Sequence, residues 1–114
     1  MKAKVAFFLY RRDLGAILHA LRYAQEARAS GGEVRVVLED KATALLFELT
    51  EPVHAAAALF EELVREKVIV VCRACAAKTE TLSLAENRDM VIEDACEGHV
   101  PVLAYVESGF TIIT

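Results

Sequence analysis

The residues with the clearest chemical potential are two cysteines that follow a run of β-branched residues. Cys72 and Cys75 come directly after residues 68–71, whose sequence Val-Ile-Val-Val predicts a strand buried on both faces. Alanines follow at once and predict a helix, so Cys72 lies at the turn between them. The free amides and the positive dipole end of a helix start stabilise a thiolate, which is the reactive form of cysteine. We therefore expect any chemistry of this chain at Cys72, with Arg73 as a further positive charge.

Each of these two cysteines has two interpretations. A reactive Cys72 is a nucleophile with a lowered pKa, partial exposure and room for an added sulfur atom, whereas an unreactive Cys72 is a small buried apolar residue. Cys75 lies one helical turn further on, so it could resolve an adduct on Cys72 by forming a disulfide. It could equally be a packing residue.

A second pair of residues extends the pattern towards a metal site. Cys72-x-x-Cys75 is followed after twenty residues by Cys96-x-x-His99, which is a zinc-like spacing. A well-cored α/β domain needs no metal to be stable, so we predict no metal and no cofactor, although the metal alternative stays open. Without a metal, Cys96 and His99 are loop residues near the site, and His99 could assist proton transfer.

The order of predicted elements is that of an α/β protein. The predicted strands are residues 4–10, 33–38, 68–71, 90–92 and 110–113. The predicted helices are residues 14–29, a short helix opened by Glu39 and Asp40, residues 50–67 behind a Thr50 cap, a helix from Cys72 to about Glu80, a short turn with a capping box at Ser83, and a last helix from Pro101 to Gly109. This alternation predicts one three-layer α/β/α domain over residues 1–114, with a mostly parallel five-stranded sheet.

Ligands in open α/β sheets collect at the carboxyl ends of the strands. Four predicted loops lie at such ends: Arg11–Asp13, Glu39–Asp40, the Cys72 turn and Cys96–His99. Asp13 is therefore a candidate to assist the site, although its position also fits the N-cap of the first helix. Strand order does not follow from the sequence, so it stays open which of these loops are neighbours.

Composition narrows the class of protein. The net charge is -4 and the sequence has no basic block, so it lacks the cluster of positive charge that nucleic acid binding requires. No apolar run has the length of a membrane span or of a signal peptide, so we expect a cytoplasmic protein without disulfides. The hydrophobic fraction of 55% is high for a small monomer and predicts a homo-oligomer.

Two segments resemble a known family. Residues 70–77 (Val-Val-Cys-Arg-Ala-Cys-Ala-Ala) look like the cysteine segment of the DsrE/DsrF-like proteins, which include the TusD-type sulfur-relay subunits. Residues 98–110, from Gly-His-Val-Pro to Glu-Ser-Gly-Phe, resemble the terminal helix and strand of that family. The family often has Arg-Gly after the cysteine helix, where this chain has Thr79 and Glu80.

The resemblance implies a single DsrE/DsrF-like domain that assembles into trimers or hexamers. It further implies that Cys72, the cysteine after the third strand, carries sulfane sulfur as a persulfide received from or passed to a partner protein. The leading hypothesis is thus a cytoplasmic sulfur-relay protein with sulfurtransferase chemistry at Cys72. Two alternatives stay open: a non-catalytic oligomeric subunit that binds a protein or small ligand, and a Cys/His metal-binding domain.

Overall fold

A five-stranded sheet, parallel throughout, forms the centre of the protein in the computed structural model, which describes residues 2–114. Its strands follow the spatial order β4-β3-β2-β1-β5. They are β1 (Lys4–Leu9), β2 (Glu33–Leu38), β3 (Ile69–Cys72), β4 (Val91–Glu93) and β5 (Thr111–Ile113). The predicted α/β class with a parallel five-stranded sheet is confirmed.

The helices connect these strands in sequence order. They are α1 (Leu14–Ala29), α2 (Leu46–Thr50), α3 (Ala57–Arg65), α4 (Arg73–Lys78), α5 (Leu82–Asn87) and α6 (Val102–Glu107), with a 3₁₀ helix over Asp40–Leu45 directly before α2. Among the described residues, no helix combines the length and the apolar character that crossing a bilayer requires.

The two faces of the sheet are covered unequally. On one face, side chains such as Phe7, Val36 and Val71 pack in a large core with residues of α1 to α5 and the 3₁₀ helix. On the other face, side chains such as Phe8 and Val70 form a smaller core with α6. The β1-to-β4 part of the chain moves steadily in one direction across the sheet, whereas the β4-to-β5 connection runs back past it. Because parallel crossovers are right-handed, the reversed connection lies on the opposite face.

Two predicted helix starts are wrong. The helix expected from Thr50 begins only at Ala57, because the Thr50 hydroxyl donates a hydrogen bond back to the Leu46 carbonyl and belongs to the end of α2. The capping box expected at Ser83 is also absent. Helix α5 instead begins two residues earlier, after Thr81, whose hydroxyl donates to the Ala76 carbonyl.

The predicted helix between residues 101 and 109 is confirmed. Pro101 is the N-cap of α6, and Gly109 follows the helix with a φ of +93°, a backbone conformation that suits glycine. Helix α1 agrees with its prediction from Leu14 to Ala29.

Candidate functional site

The site lies where β3 ends and α4 begins, against the loop between β4 and α6. Cys72 is the last residue of β3 and the N-cap of α4, and Cys75 lies in the first turn of α4. His99 comes from the facing loop. The parallel sheet brings these segments to one edge, because the carboxyl ends of β3 and β4 are paired neighbours with Cys72 opposite Glu93.

Two thiols and one imidazole converge at this edge. Cys72 Sγ lies 3.3 Å from His99 Nδ1, and Cys75 Sγ lies 3.8 Å from the same nitrogen. The candidate ligand atoms of the three residues all lie within 4.8 Å of one another. This group, which we call the Cys–Cys–His cluster, has the chemical parts for proton transfer between a nitrogen base and two sulfurs.

The environment of Cys72 differs from the one its sequence position predicted. Cys72 is fully buried (0% exposed), which agrees with the interpretation as a buried apolar residue and not with the partial exposure of a reactive thiol. Its side chain makes no capping hydrogen bond to the amides of α4. The Cys72 sulfur instead faces the loop, 3.3 Å from His99 Nδ1 and 3.8 Å from the Gly98 carbonyl oxygen. The imidazole, and not the helix start, is therefore the group placed to influence this thiol.

Cys75 is the sulfur that borders open space. It is 8% exposed and lines a cavity of about 540 Å³ together with His99. Burial, followed by the neighbouring Cys72 thiol, raises the pKa of Cys75 to about 11, and a backbone hydrogen bond from Asp40 only partly offsets the rise. Cys75 is thus reachable but protonated at neutral pH unless a base takes its proton.

The loop that carries His99 is fastened to α4 at both ends of a tight turn. Arg73 Nε donates a hydrogen bond to Asp94 Oδ2 at 3.1 Å, and the Ala74 amide donates to the Gly98 carbonyl at 2.9 Å. Arg73 also lies near Glu86, with 3.6 Å between the charged atoms. The predicted role of Arg73 as a positive charge for the thiolate is therefore replaced by a structural one, because its guanidinium is paired with carboxylates.

Two predicted site residues lie outside the Cys–Cys–His cluster. Cys96 is exposed and is not part of the cluster; its backbone closes the loop by pairing with His99. Asp13 caps α1 by accepting a hydrogen bond from the Ala16 amide at 3.1 Å and does not line the cavity. Of the four residues in the zinc-like sequence pattern, only Cys72, Cys75 and His99 lie together in the structure.

The cavity beside Cys75 is also lined by residues from the ends of β1 and β2, which the sequence did not assign to the site. Tyr10 contributes from the end of β1, and Glu39, Asp40 and Lys41 contribute from the end of β2. Burial raises the pKa of Glu39, an effect that nearby His99 partly opposes. The carboxyl-end rule indicated the Glu39–Asp40 loop, but only the strand order β3-β2-β1 shows that it faces the cysteines.

A chain of three hydrogen-bonded threonines, of which Thr43 and Thr81 are buried and Thr79 is half-buried, holds α4 in place. The hydroxyl of Thr43, which is fully buried, lies 2.7 Å from the hydroxyl of Thr79, and Thr79 lies 3.0 Å from that of Thr81. Thr79 also donates to the Cys75 carbonyl at 3.3 Å. These contacts fix the helix that carries Cys75 against the 3₁₀ helix that borders the cavity.

The fold and the Cys–Cys–His cluster together define a parallel α/β protein with a thiol centre at the carboxyl edge of its sheet. No family model matches the chain. The chain is 28% identical, over 96% of its length and 93% of the relative, to the uncharacterized protein MJ0733 of Methanocaldococcus jannaschii. Its fold is similar to that of BT1422 from Bacteroides thetaiotaomicron, a conserved protein of unknown function. That comparison has a TM-score of 0.71 and 14% identity, and covers 96% of this chain and 92% of the other.

Proposed function

We propose that this protein is a sulfur-relay protein whose Cys–Cys–His cluster accepts sulfane sulfur as a cysteine persulfide. The observation that carries the proposal is the placement of His99 Nδ1 between two thiols, 3.3 Å from one and 3.8 Å from the other, at the wall of a cavity. The DsrE/DsrF-like resemblance of residues 70–77 supports the same chemistry.

Burial favours Cys75 over Cys72 as the sulfur that receives the donor. A donor persulfide R–S–SH has to enter through the cavity, which Cys75 lines and the fully buried Cys72 does not. His99 takes the Cys75 proton, and the Cys75 sulfur attacks the outer sulfur of the donor. The new bond is that of Cys75–S–SH, the donor S–S bond breaks, and the donor leaves as R–S⁻. This reverses the roles that the sequence alone suggested.

Cys72 is then the resolving thiol. If no acceptor arrives, Cys72 attacks the inner sulfur of the Cys75 persulfide, which forms a Cys72–Cys75 disulfide and releases the outer sulfur as HS⁻. The Cys72 proton passes to His99. A dithiol reductant restores the two thiols. An acceptor thiolate that arrives first attacks the outer sulfur instead, takes it as a new persulfide and leaves Cys75 as thiolate.

We also propose that the chain forms a homo-oligomer through the outer side of α6 and the edge strand β5. Leu103 is 69% exposed, Val106 50% and Ile113 43%, and no charged residue interrupts residues 102–106 or 111–113. Strand β5 is a sheet edge, which other chains can pair with unless it is covered. A second copy of this chain, which presents the same uncharged surface, fits these features as the occupant.

The test of the sulfur-relay proposal is the intact mass of the reduced, metal-free protein after incubation with glutathione persulfide. The mass of wild type should first rise by one sulfur atom. As the disulfide forms, the mass should fall to two hydrogens below that of the starting protein. Cys72→Ser should keep the added sulfur, since no resolving thiol is present, and Cys75→Ser should gain none. Cys96→Ser, which alters an exposed thiol outside the Cys–Cys–His cluster, is the matched control and should behave as wild type.

Two outcomes would remove the sulfur-relay role. One is wild-type protein that gains no sulfur. The other is sulfur uptake that persists in Cys75→Ser and disappears in Cys96→Ser, because uptake would then be a property of an exposed thiol alone.

A further inference from the structure

The spacing of the Cys–Cys–His cluster matches that of a tetrahedral metal site. Zinc–sulfur and zinc–nitrogen bonds of ordinary length place a sulfur and a nitrogen ligand about 3.6 Å apart, and two sulfurs about 3.8 Å apart. The two observed sulfur-to-nitrogen distances, 3.3 and 3.8 Å, lie on either side of that value. All three candidate ligand atoms lie within 4.8 Å of one another. Small side-chain movements would be enough to surround an ion.

We propose that Cys72, Cys75 and His99 bind one Zn²⁺ ion, a binding site that stands whether or not the thiols carry sulfur. The donor set decides the class of metal. Two thiolates and an imidazole are preferred by Zn²⁺ and related thiophilic ions, whereas Mg²⁺ and Ca²⁺ prefer oxygen ligands. Two thiolates and a neutral imidazole around a divalent cation carry no net charge. A site that is largely buried therefore avoids the cost of a buried unpaired charge.

The ligands are held in place before any metal binds. Cys72 is fixed by the interior strand β3, and Cys75 by the first turn of α4. His99 is held by a turn that its backbone closes with Cys96. The loop containing this turn is tied to α4 by the hydrogen bond from Arg73 to Asp94. A site assembled in advance loses little conformational entropy when the ion enters.

Two of the three proposed ligands, Cys75 and His99, line the cavity, so a fourth coordination position would lie on the cavity side. Three protein ligands with one open position are typical of zinc sites that exchange a ligand, whereas closed four-residue sites are structural. The open side borders the cavity lined by Tyr10, Glu39 and Thr79. We infer that water or a small thiol from the cavity completes the shell, and that Cys96, which lies outside the cluster, is not the fourth ligand.

The experiment measures zinc binding by the untagged, reduced protein in the absence of any sulfur donor. Zinc content after gel filtration should be one ion per chain. Competition with a chromophoric chelator should give an affinity that falls at least about tenfold in Cys75→Ser and in His99→Ala, since each loses one of three protein ligands. Cys96→Ser should bind as wild type.

A spectroscopic readout covers the case in which a cysteine variant folds poorly. Cobalt added to the protein should give thiolate-to-cobalt charge-transfer absorption. His99→Ala, which alters an exposed loop residue, should keep its circular dichroism spectrum but lose or shift that absorption. The proposal is overturned if wild type retains no zinc, or if Cys75→Ser, His99→Ala and Cys96→Ser all bind equally. Sulfur uptake is assayed with a chelator present and zinc binding without a sulfur donor. A protein that fails to take up sulfur can therefore be distinguished from one that fails to bind zinc.

Discussion

The reactivity of the site depends on which group holds the proton of each thiol. Cys75 has a pKa raised to about 11, chiefly because burial disfavours its charged form. Cys72 is sealed from solvent and has His99 as its nearest base. The sequence identified these three residues, but it could not show which sulfur is reachable, because that depends on the position of a loop more than twenty residues away.

The raised pKa of Cys75 predicts an unusual pH dependence of alkylation. Only the thiolate reacts, so the rate of modification by iodoacetamide should rise about tenfold per pH unit between pH 7 and 10, without a plateau below the pKa of about 11. The measurement uses metal-free Cys96→Ser protein, followed by mass spectrometry. A plateau near pH 8 would show that the Cys75 thiol is not shielded as described.

His99 should contribute as the base for sulfur transfer. His99→Ala should lower the rate of persulfide formation about 100-fold, in the range of a lost general base, with little change in thermal stability because the imidazole is exposed. The measurement is the initial rate of sulfur uptake at neutral pH in metal-free protein. The control is His19→Ala, which alters an exposed histidine of α1. Equal rates in the two variants would exclude His99 from the reaction.

The loop between β4 and α6 is the least regular part of the site and the one that assembles it. Residues 94–99 have no strand or helix of their own, and their conformation depends on Arg73, Ala74 and the Gly98 carbonyl. Helices and strands with strong periodicity, such as α1 and β2, could be predicted almost to the residue. The loop, the Thr50 turn and the start of α5 could not, because hydrogen bonds between distant or competing groups decide them.

Gly98 tests how closely this loop must approach α4. Its φ is +89°, and an added Cβ would lie 3.3 Å from Ala74 Cβ. Gly98→Ala should therefore destabilise the protein by about 1–2 kcal/mol, the cost of a left-handed backbone for a residue with a side chain. It should also weaken zinc binding by displacing His99. The measurement is urea unfolding followed by circular dichroism.

Gly15 provides the matched control for that substitution. It lies within α1 with an ordinary backbone conformation, and an added Cβ would make only a normal contact with Asp13. Gly15→Ala should stabilise the protein by about 0.5–1 kcal/mol, because alanine favours a helix. If Gly98→Ala were as harmless as Gly15→Ala, the loop would not be held against α4 as described.

The molecule as a whole is asymmetric, with a thick helical layer on one face of the sheet and α6 alone on the other. The sequence predicted three layers, but unequal coverage follows from the strand order, which the sequence could not supply. Cys72 and Cys75 pack in the smaller core, on the same face of the sheet as α6 and its exposed apolar side chains. Oligomer formation would therefore cover the face next to the site.

A single charge on α6 should disrupt that assembly. Leu103→Glu places a carboxylate in the uncharged surface and should convert the oligomer to a monomer without lowering its helix content, because Leu103 is exposed within one chain. Light scattering after gel filtration measures the mass. Val53→Glu, which changes an exposed apolar residue far from α6 in sequence, should leave the oligomer intact. A monomeric wild type would contradict the proposed interface.

The position of the added sulfur shows which of the three cysteines receives it. Trypsin cleaves after Lys67, Arg73, Lys78 and Arg88, so Cys72, Cys75 and Cys96 fall on three different peptides. After brief treatment of metal-free protein with glutathione persulfide and capping of the thiols, the extra sulfur should be on residues 74–78. At longer times a disulfide should join residues 68–73 to residues 74–78. Extra sulfur confined to residues 89–114, the Cys96 peptide, would show that Cys75 is not the receiving thiol.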